Sequence, residues 1–134
     1  MRPGQPQAFG VLEGGKLFFG LPGNPVSSAI VFEMLVRPAL WRMLGRSTLD
    51  RPLVRAVMGE AVGSKLGRRD FLRVRLEALS AEDTARLGAP YRAWLTGTQS
   101  SGAVSSILKA EGLAVVVPEH GGLTAGQPVE VLQF

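Results

Sequence analysis

The 134-residue sequence carries a formal charge of +4, is 46% hydrophobic and contains no cysteine. Its length allows one domain or two modest lobes, and the lack of cysteine excludes disulfides and thiolate metal sites and fits a reducing cytoplasm. No apolar run approaches the roughly 20 residues that span a bilayer, and the basic residues are spread along the chain. We therefore expect a cytoplasmic protein that binds neither membranes nor nucleic acid, with cations suited to a small anionic ligand.

The first half of the sequence predicts a strand, a turn and a helix. Residues 16–21 form the predicted strand, and Pro22 and Gly23 turn the backbone. Asn24 is a good N-cap, and Pro25 at the first helical position gives up an amide that would be unpaired anyway. The free amides of such a helix start favour anions above the end of the strand.

The predicted helix extends from Pro25 to about Leu44 and is apolar on almost every side except at Glu33. Such a helix must be covered on more than one side, so we expect exposed apolar surface that leads to self-association or binds a missing partner segment. Pro38 predicts a break or a kink after Arg37, because proline removes a backbone donor and clashes with the preceding turn.

The sequence pattern changes near residues 45–52, and short strands separated by Gly, Pro, Ser and Asp follow. The segment at 103–111 is the only predicted helix in this half. Overall, the sequence predicts an α/β strand-turn-helix unit followed by an all-β region. The predicted strands are residues 53–62, 69–79, 90–96, 113–118 and 128–133.

Several strings of the sequence occur together in the order seen in one known family. By itself, a PGNP string is common in turns and does not indicate a family. The strings RPGQPQAFG, GLPGNPVSSAIVFEMLVRPALWRMLG, RRDFLRVRL, TGTQSSGAVSSILKAEGLAVVVPE and LTAGQPVEVL, however, cover almost the whole chain. Their order resembles the C-terminal end of the molybdopterin molybdotransferases, the family of bacterial MoeA and of the E domain of gephyrin.

The resemblance implies that residues 1–46 are the end of a molybdopterin-binding α/β domain and residues 51–134 a small barrel-like C-terminal domain. The family's enzyme inserts molybdate into adenylylated molybdopterin, forms molybdenum cofactor and releases AMP. The resemblance also implies a homodimer and a bound Mg²⁺ whose aspartate ligands lie upstream of this chain. No catalytic or metal-binding residue is therefore assigned here. The chain alone is expected to be inactive. A non-catalytic protein-interaction or scaffold module is the alternative.

The resemblance also implies substrate-binding residues in the first half. Pro22, Gly23, Asn24 and Pro25 match a turn that lines the family's active-site cleft; the alternative is that they only shape the turn. Arg2 stands where the family usually has an anion-binding lysine. In this sequence Gln5 replaces the second lysine of that string, which removes a cation.

Two further substrate-binding residues are implied in the second half. Arg73 matches the arginine of an F-x-R strand, and Ser101 the serine of a Q-x-S-G loop. Because Arg73 alternates with apolar neighbours, it should face away from the domain core, and its replacement by alanine should spare stability. The alternatives are a solvated arginine paired with Glu77 or Asp70, and a serine that is only an N-cap.

Overall fold

A computed structural model describes all residues, 1–134. The first part of the chain is a two-stranded antiparallel hairpin followed by one long helical run. Its elements are β1 (Ala8–Leu12), a 3-10 turn (Glu13–Gly15), β2 (Lys16–Gly20), α1 (Pro25–Val31), a wide π-type segment (Phe32–Val36) and α2 (Arg37–Met43). None of the helices is long and apolar enough to cross a membrane.

The second part forms a closed five-stranded barrel with two short helices and a small two-stranded ribbon. Its elements are β3 (Leu53–Met58), β4 (Val62–Gly63), β5 (Asp70–Ala78), α3 (Ala81–Leu87), β6 (Tyr91–Leu95), α4 (Val104–Leu108), β7 (Gly112–Val116), β8 (Gly122–Leu123) and β9 (Pro128–Gln133). Around the barrel the order is β3-β6-β5-β7-β9, and only the β3-β6 pair is parallel. The predicted fold, an α/β strand-turn-helix unit followed by a barrel-like all-β domain, is confirmed.

Small side chains fill the inside of the barrel. A barrel of only five strands has a narrow interior, and alternation along each strand decides which side chains enter it. On β5, Leu72 and Val74 point inward and are almost completely buried. The rest of the interior cluster is Ala56, Met58, Ala93, Ala114, Val116, Leu123, Val129 and Val131.

The first helix packs against the outside of the barrel. Val26 and Ile30 of α1 form a buried cluster with Phe71 of β5 and Leu113 of β7. Phe71 is offset by one residue from the inward-facing Leu72, as expected for a strand with two buried faces. The two parts of the chain therefore share a hydrophobic contact. The domain boundary predicted between residues 46 and 51 stays a prediction.

Residues 1–5, here called the N-terminal string, lie along the start of β5. The Arg2 amide donates to the Arg69 carbonyl at 2.9 Å, and the Arg2 carbonyl accepts from the Phe71 amide at 2.8 Å. Gly4 is buried with φ +106, and a Cβ on it would come within 2.5 Å of the Val31 side chain. Glycine therefore allows the string to pass between the barrel and α1.

The helix starts as predicted but does not break at Pro38. Asn24 caps α1 by accepting a hydrogen bond from the Val26 amide at 3.2 Å. Helical structure then continues to Met43, because the turn before Pro38 widens and the Arg37 amide bonds to the Phe32 carbonyl five residues back. The wider turn accommodates the proline ring without ending the helix.

Strands β1 and β8 and helix α3 were not predicted. Strand β1 precedes the strand predicted at residues 16–21, and β8 lies between those predicted at 113–118 and 128–133. Helix α3 lies in the half that was expected to contain one helix only. The prediction of a single helix there is wrong. A cap signal was present, since Ser80 accepts from the Asp83 amide at 3.1 Å and Gly88 ends the helix in the left-handed conformation.

Candidate functional site

A depression of about 260 Å³ opens where the N-terminal string, the start of β5 and the loop between β6 and α4 meet. Its volume is near the lower end of the range for small-molecule sites. Two arginines from different segments line it, and we call it the arginine cleft. Its lining residues are Arg2, Pro3, Asp70, Phe71, Leu72, Arg73, Gln99 and Ser101.

Arg73 is held in the wall of this cleft by the loop and α4. Its Nε donates to the Ser106 hydroxyl at 2.9 Å, and its Nη2 donates to the carbonyls of Thr98 and Ser100 at 3.1 and 3.0 Å. Its Nη1 has no acceptor within the protein and is the one guanidinium nitrogen left for a ligand. The prediction that Arg73 faces away from the barrel interior is correct, but the residue is only 1% exposed.

Burial lowers the pKa of Arg73, because removal from water disfavours the charged form. Arginine nevertheless remains protonated in proteins, so the cleft wall carries a fixed positive charge. The alternative of a solvated arginine paired with Glu77 or Asp70 is wrong. Glu77 accepts from the Trp94 indole, and Asp70 is paired with Arg2.

Two residues that support Arg73 were not singled out from the sequence. Gln99 accepts from the Arg73 amide at 2.9 Å and donates to the Arg73 carbonyl at 3.2 Å. Its side chain thus pairs with the β5 backbone as a neighbouring strand would. Ser106 is buried and also donates to the Ala103 carbonyl. No sequence pattern at Gln99 or Ser106 distinguishes a residue that supports Arg73 from an ordinary polar loop residue.

Arg2 reaches the same cleft from the N-terminal string. Its Nη2 lies 2.7 Å from Oδ2 of Asp70, and the side chain of Arg2 is 41% exposed while that of Asp70 is 2% exposed. Ser64 donates a hydrogen bond to the same carboxylate oxygen at 2.6 Å. The string therefore brings a second cation to the cleft, next to a buried carboxylate.

Ser101 connects the cleft to the turn that precedes α1. Its hydroxyl oxygen accepts a hydrogen bond from Nδ2 of Asn24 at 3.2 Å, across 77 residues of sequence. The alternative role as a simple N-cap is wrong, because Ala103 occupies the cap position of α4 and no side chain caps that helix. The Ser101 hydroxyl keeps its own proton, which is free to be donated to a ligand.

The other residues of the turn do not line the arginine cleft. Pro22 is buried and its carbonyl accepts from the Ser28 hydroxyl, whereas Gly23 and Pro25 are exposed. Asn24 is the member of the turn that contacts the loop of the barrel. The structure thus brings together Arg2, Asn24, Arg73 and Ser101 and leaves the other three turn residues at one side.

A further cation lies beside Gln5. Nη1 of Arg68, from the segment that leads into β5, donates to Oε1 of Gln5 at 2.8 Å. A positive charge is therefore present next to position 5 although the side chain there is neutral. This hydrogen bond is exposed to solvent, so its contribution to stability is small.

The geometry can bind and orient an anion. No three Asp, Glu or His side chains lie close enough together to hold a metal ion. The carboxylates of this chain therefore form no cluster that would by itself hold the Mg²⁺ that the resemblance implies. Two arginines and a serine hydroxyl are the donors that suit oxyanions.

The fold and the cleft define a small closed β-barrel domain joined to a strand-turn-helix unit, with an arginine-lined site at the junction. A sequence model of the MoeA C-terminal region (domain IV) matches residues 55–134, which include nearly all of the barrel. The chain belongs to the MoeA family.

Curated relatives match the chain over most of its length. A molybdopterin molybdenumtransferase of Haemophilus influenzae is 30% identical over 100% of this chain and 31% of its own length. A putative molybdopterin biosynthesis protein of Methanocaldococcus jannaschii is 32% identical over 98% of this chain and 27% of its own length. The chain thus spans about a third or less of the length of these relatives.

Solved structures show the same fold. A molybdopterin biosynthesis MoeA protein from Pyrococcus horikoshii superposes with a TM-score of 0.76 at 35% identity, covering 98% of this chain and 29% of that one. A molybdenum cofactor biosynthesis protein from Pyrococcus furiosus gives a TM-score of 0.73 at 27% identity, covering 99% of this chain and 42% of the other. The similarity includes the hairpin and helix as well as the barrel.

Proposed function

We propose that this chain is the C-terminal part of a cytoplasmic molybdopterin molybdotransferase, which inserts molybdate into adenylylated molybdopterin, releases AMP and yields molybdenum cofactor. The names of the curated relatives and the family match support this assignment. The whole enzyme acts as a homodimer and uses Mg²⁺. Within it, the arginine cleft seats an anionic part of a substrate, either a phosphate group or molybdate.

The observation that carries the proposal is the fixed guanidinium of Arg73. Three hydrogen bonds to protein acceptors hold it in place, and Nη1 remains without a protein partner in the wall of a cleft that Arg2 also lines. Preorganised donors bind an anion without a further loss of side-chain freedom.

The chain's own residues bind and orient the substrate. Arg73 and Arg2 offset the negative charge of the anion, and Ser101 donates a neutral hydrogen bond from the loop that Asn24 contacts. Because these side chains come from both parts of the chain, an anion bound there also holds the two parts together. Positioning of this kind lowers the barrier of group transfer without a catalytic acid or base in this region.

The experiment uses a protein that carries these 134 residues together with the upstream part that the relatives have. Formation of molybdenum cofactor and release of AMP are measured from adenylylated molybdopterin and molybdate. Arg73→Lys keeps the charge but loses the planar fork, so both rates should fall about tenfold or more. The matched control is Arg75→Lys, two residues along the same strand at an exposed position.

The second candidate function is a non-catalytic interaction or scaffold module. The exposed apolar side chains of the hairpin, among them Phe9, Val11 and Phe18, favour contacts with another polypeptide surface. This alternative predicts that Arg73→Lys leaves both rates unchanged. Turnover by the 134-residue chain alone would contradict the proposal in a different way, because it would require a metal site among residues that do not cluster.

A further inference from the structure

Asp70 is a buried carboxylate that makes contacts through only one of its two oxygens. Its residue surface is 1% exposed. Its Oδ2 lies 2.7 Å from Nη2 of Arg2 in an ion pair and accepts a hydrogen bond from Ser64 at 2.6 Å. Its Oδ1 is buried and has no partner. Native structures seldom leave a buried polar atom unpaired, so an exception of this kind calls for an explanation.

Stability does not explain this arrangement well. Burial of a carboxylate loses its hydration, and a single ion pair with one neutral hydrogen bond recovers that loss only partly. An arginine–carboxylate ion pair formed for stability would be bidentate, with the guanidinium in contact with both carboxylate oxygens. Arg2 instead makes one contact, through Nη2, while its Nε and Nη1 make no hydrogen bond within the protein.

The backbone around Asp70 fixes Arg2 as well. The amide and the carbonyl of Arg2 bond to Arg69 and Phe71, the two neighbours of Asp70 on the chain. Asp70 and Arg73 are three residues apart on β5, which places their Cα atoms about 10 Å apart along the strand. Asp70 and Arg73 are an odd number of residues apart and project from opposite faces of β5. Arg2, held beside this strand by Asp70, and Arg73 both line the cleft.

We propose that Asp70 is a positioning residue that holds the guanidinium of Arg2 in the orientation needed to bind an anion jointly with Arg73. The inference rests on the proposed anion-binding function of the cleft. Asp70 acts through Arg2 and does not itself contact the anion. A long arginine side chain loses conformational freedom when it binds, and the ion pair with Asp70 removes most of that freedom beforehand.

The direction of the effect distinguishes positioning from simple charge balance. Asp70→Asn removes a negative charge next to the cleft. If the Asp70 carboxylate only neutralised Arg2, it would weaken anion binding in the wild type, and the substitution would strengthen anion binding. If Asp70 positions Arg2, the same substitution weakens binding, because the freed arginine must be ordered by the anion. The two roles therefore predict opposite signs.

The test measures binding of molybdate and of inorganic phosphate to the 134-residue chain by NMR titration of the arginine Nε–H signals. We expect Asp70→Asn to weaken binding about three- to tenfold, which corresponds to the loss of preorganisation in one long side chain. Arg2→Ala should weaken binding at least as much, and adding Asp70→Asn to Arg2→Ala should change nothing further. Asp83→Asn is the matched control, since Asp83 pairs with Arg86 on α3, outside the cleft.

Three results decide the outcome. Additive effects of Asp70→Asn and Arg2→Ala, or unchanged or tighter binding in Asp70→Asn, would overturn the positioning role. If Asp70→Asn does not fold, Ser64→Ala loosens the same carboxylate without removing its charge, and it should weaken binding only when Arg2 is present. Absence of any anion binding by the wild type would instead count against the proposed function itself.

Discussion

At the scale of single residues, the central feature is the coordination of Arg73 by a distant loop. Alternation along the strand was sufficient to predict that Arg73 points away from the barrel interior. It could not predict that residues 97–102 close over the side chain, because the contacts to Thr98, Ser100 and Ser106 join residues 25 to 33 apart in sequence. The same limit applies to the contact of Ser101 with Asn24.

The buried position of Arg73 reverses the expectation that its loss spares stability. Arg73→Ala removes one donor from Ser106 and leaves the carbonyls of Thr98 and Ser100 without their partner, so we expect the free energy of unfolding to fall by about 2 kcal/mol or more. Urea denaturation of the 134-residue chain measures the change. Arg75→Ala, at an exposed site of the same strand, should stay within about 0.5 kcal/mol of the wild type. If Arg73→Ala left the urea midpoint unchanged, the packing of the loop at residues 97–102 would not depend on Arg73.

At the scale of elements, the sequence was informative wherever local chemistry decides the structure. The cap at Asn24 and the strands of the barrel followed from turn residues and alternation, and both are observed. Helix α3 was missed although Ser80 and Gly88 mark its two ends, because its short polar sequence has little apolar periodicity. The hairpin strand β1 was missed because its sequence, AFGVL, does not alternate between apolar and polar residues.

A second element-scale feature joins the helix to the connection between α2 and β3. Glu33 accepts hydrogen bonds from Arg37 at 2.7 Å and from Arg51 at 3.0 and 3.3 Å. Burial by itself would raise the pKa of Glu33, but the hydrogen bonds and charges of Arg51 and Arg37 outweigh it and hold that pKa below its usual value. Arg37 also stacks on Trp41, with 4.2 Å between the guanidinium carbon and the ring centroid.

This ion-pair cluster predicts a pH dependence of stability. A carboxylate whose pKa is lowered by folding stabilises the protein above the unfolded-state pKa, here close to 4.5, and loses that contribution as the pH falls through the lower folded-state value. Glu33→Gln should therefore lower stability at pH 7 by about 1–3 kcal/mol, and the difference from wild type should be smaller at pH 3. Thermal unfolding at both pH values tests this. Glu82→Gln is the control, and an equal loss for Glu33→Gln at both pH values would contradict the account.

At the scale of the whole molecule, the barrel is well covered and the hairpin is not. Phe9 and Val11 on β1 are 63% and 62% exposed, and Phe18 on β2 is 49% exposed. An isolated two-stranded hairpin is marginally stable in water. The chain spans about a third or less of its curated relatives' length. The expectation of uncovered apolar surface concerned the helix, where Ile30 and Val31 are buried while Phe32 and Leu35 are 39% and 41% exposed.

The exposed hairpin predicts self-association of the 134-residue chain. Sedimentation velocity should show a sedimentation coefficient that rises with concentration, because association buries apolar surface. Phe9→Ser combined with Val11→Ser should abolish the rise. The unfolding transition of the barrel should not change, since neither residue contributes to the barrel core. A wild-type chain that sediments as a monomer at every concentration would show that the hairpin tolerates exposure.

The most direct test of the arginine cleft is anomalous diffraction at the molybdenum edge from crystals of this chain soaked in molybdate. The account predicts an anomalous peak in the cleft, with its oxyanion in hydrogen-bond contact with Nη1 of Arg73 and close to Arg2 and Ser101. The N–O distances should be about 2.7–3.2 Å. The peak should disappear in Arg73→Lys crystals of the same form. A peak at other arginines with an empty cleft would contradict the claim that these residues form one anion site.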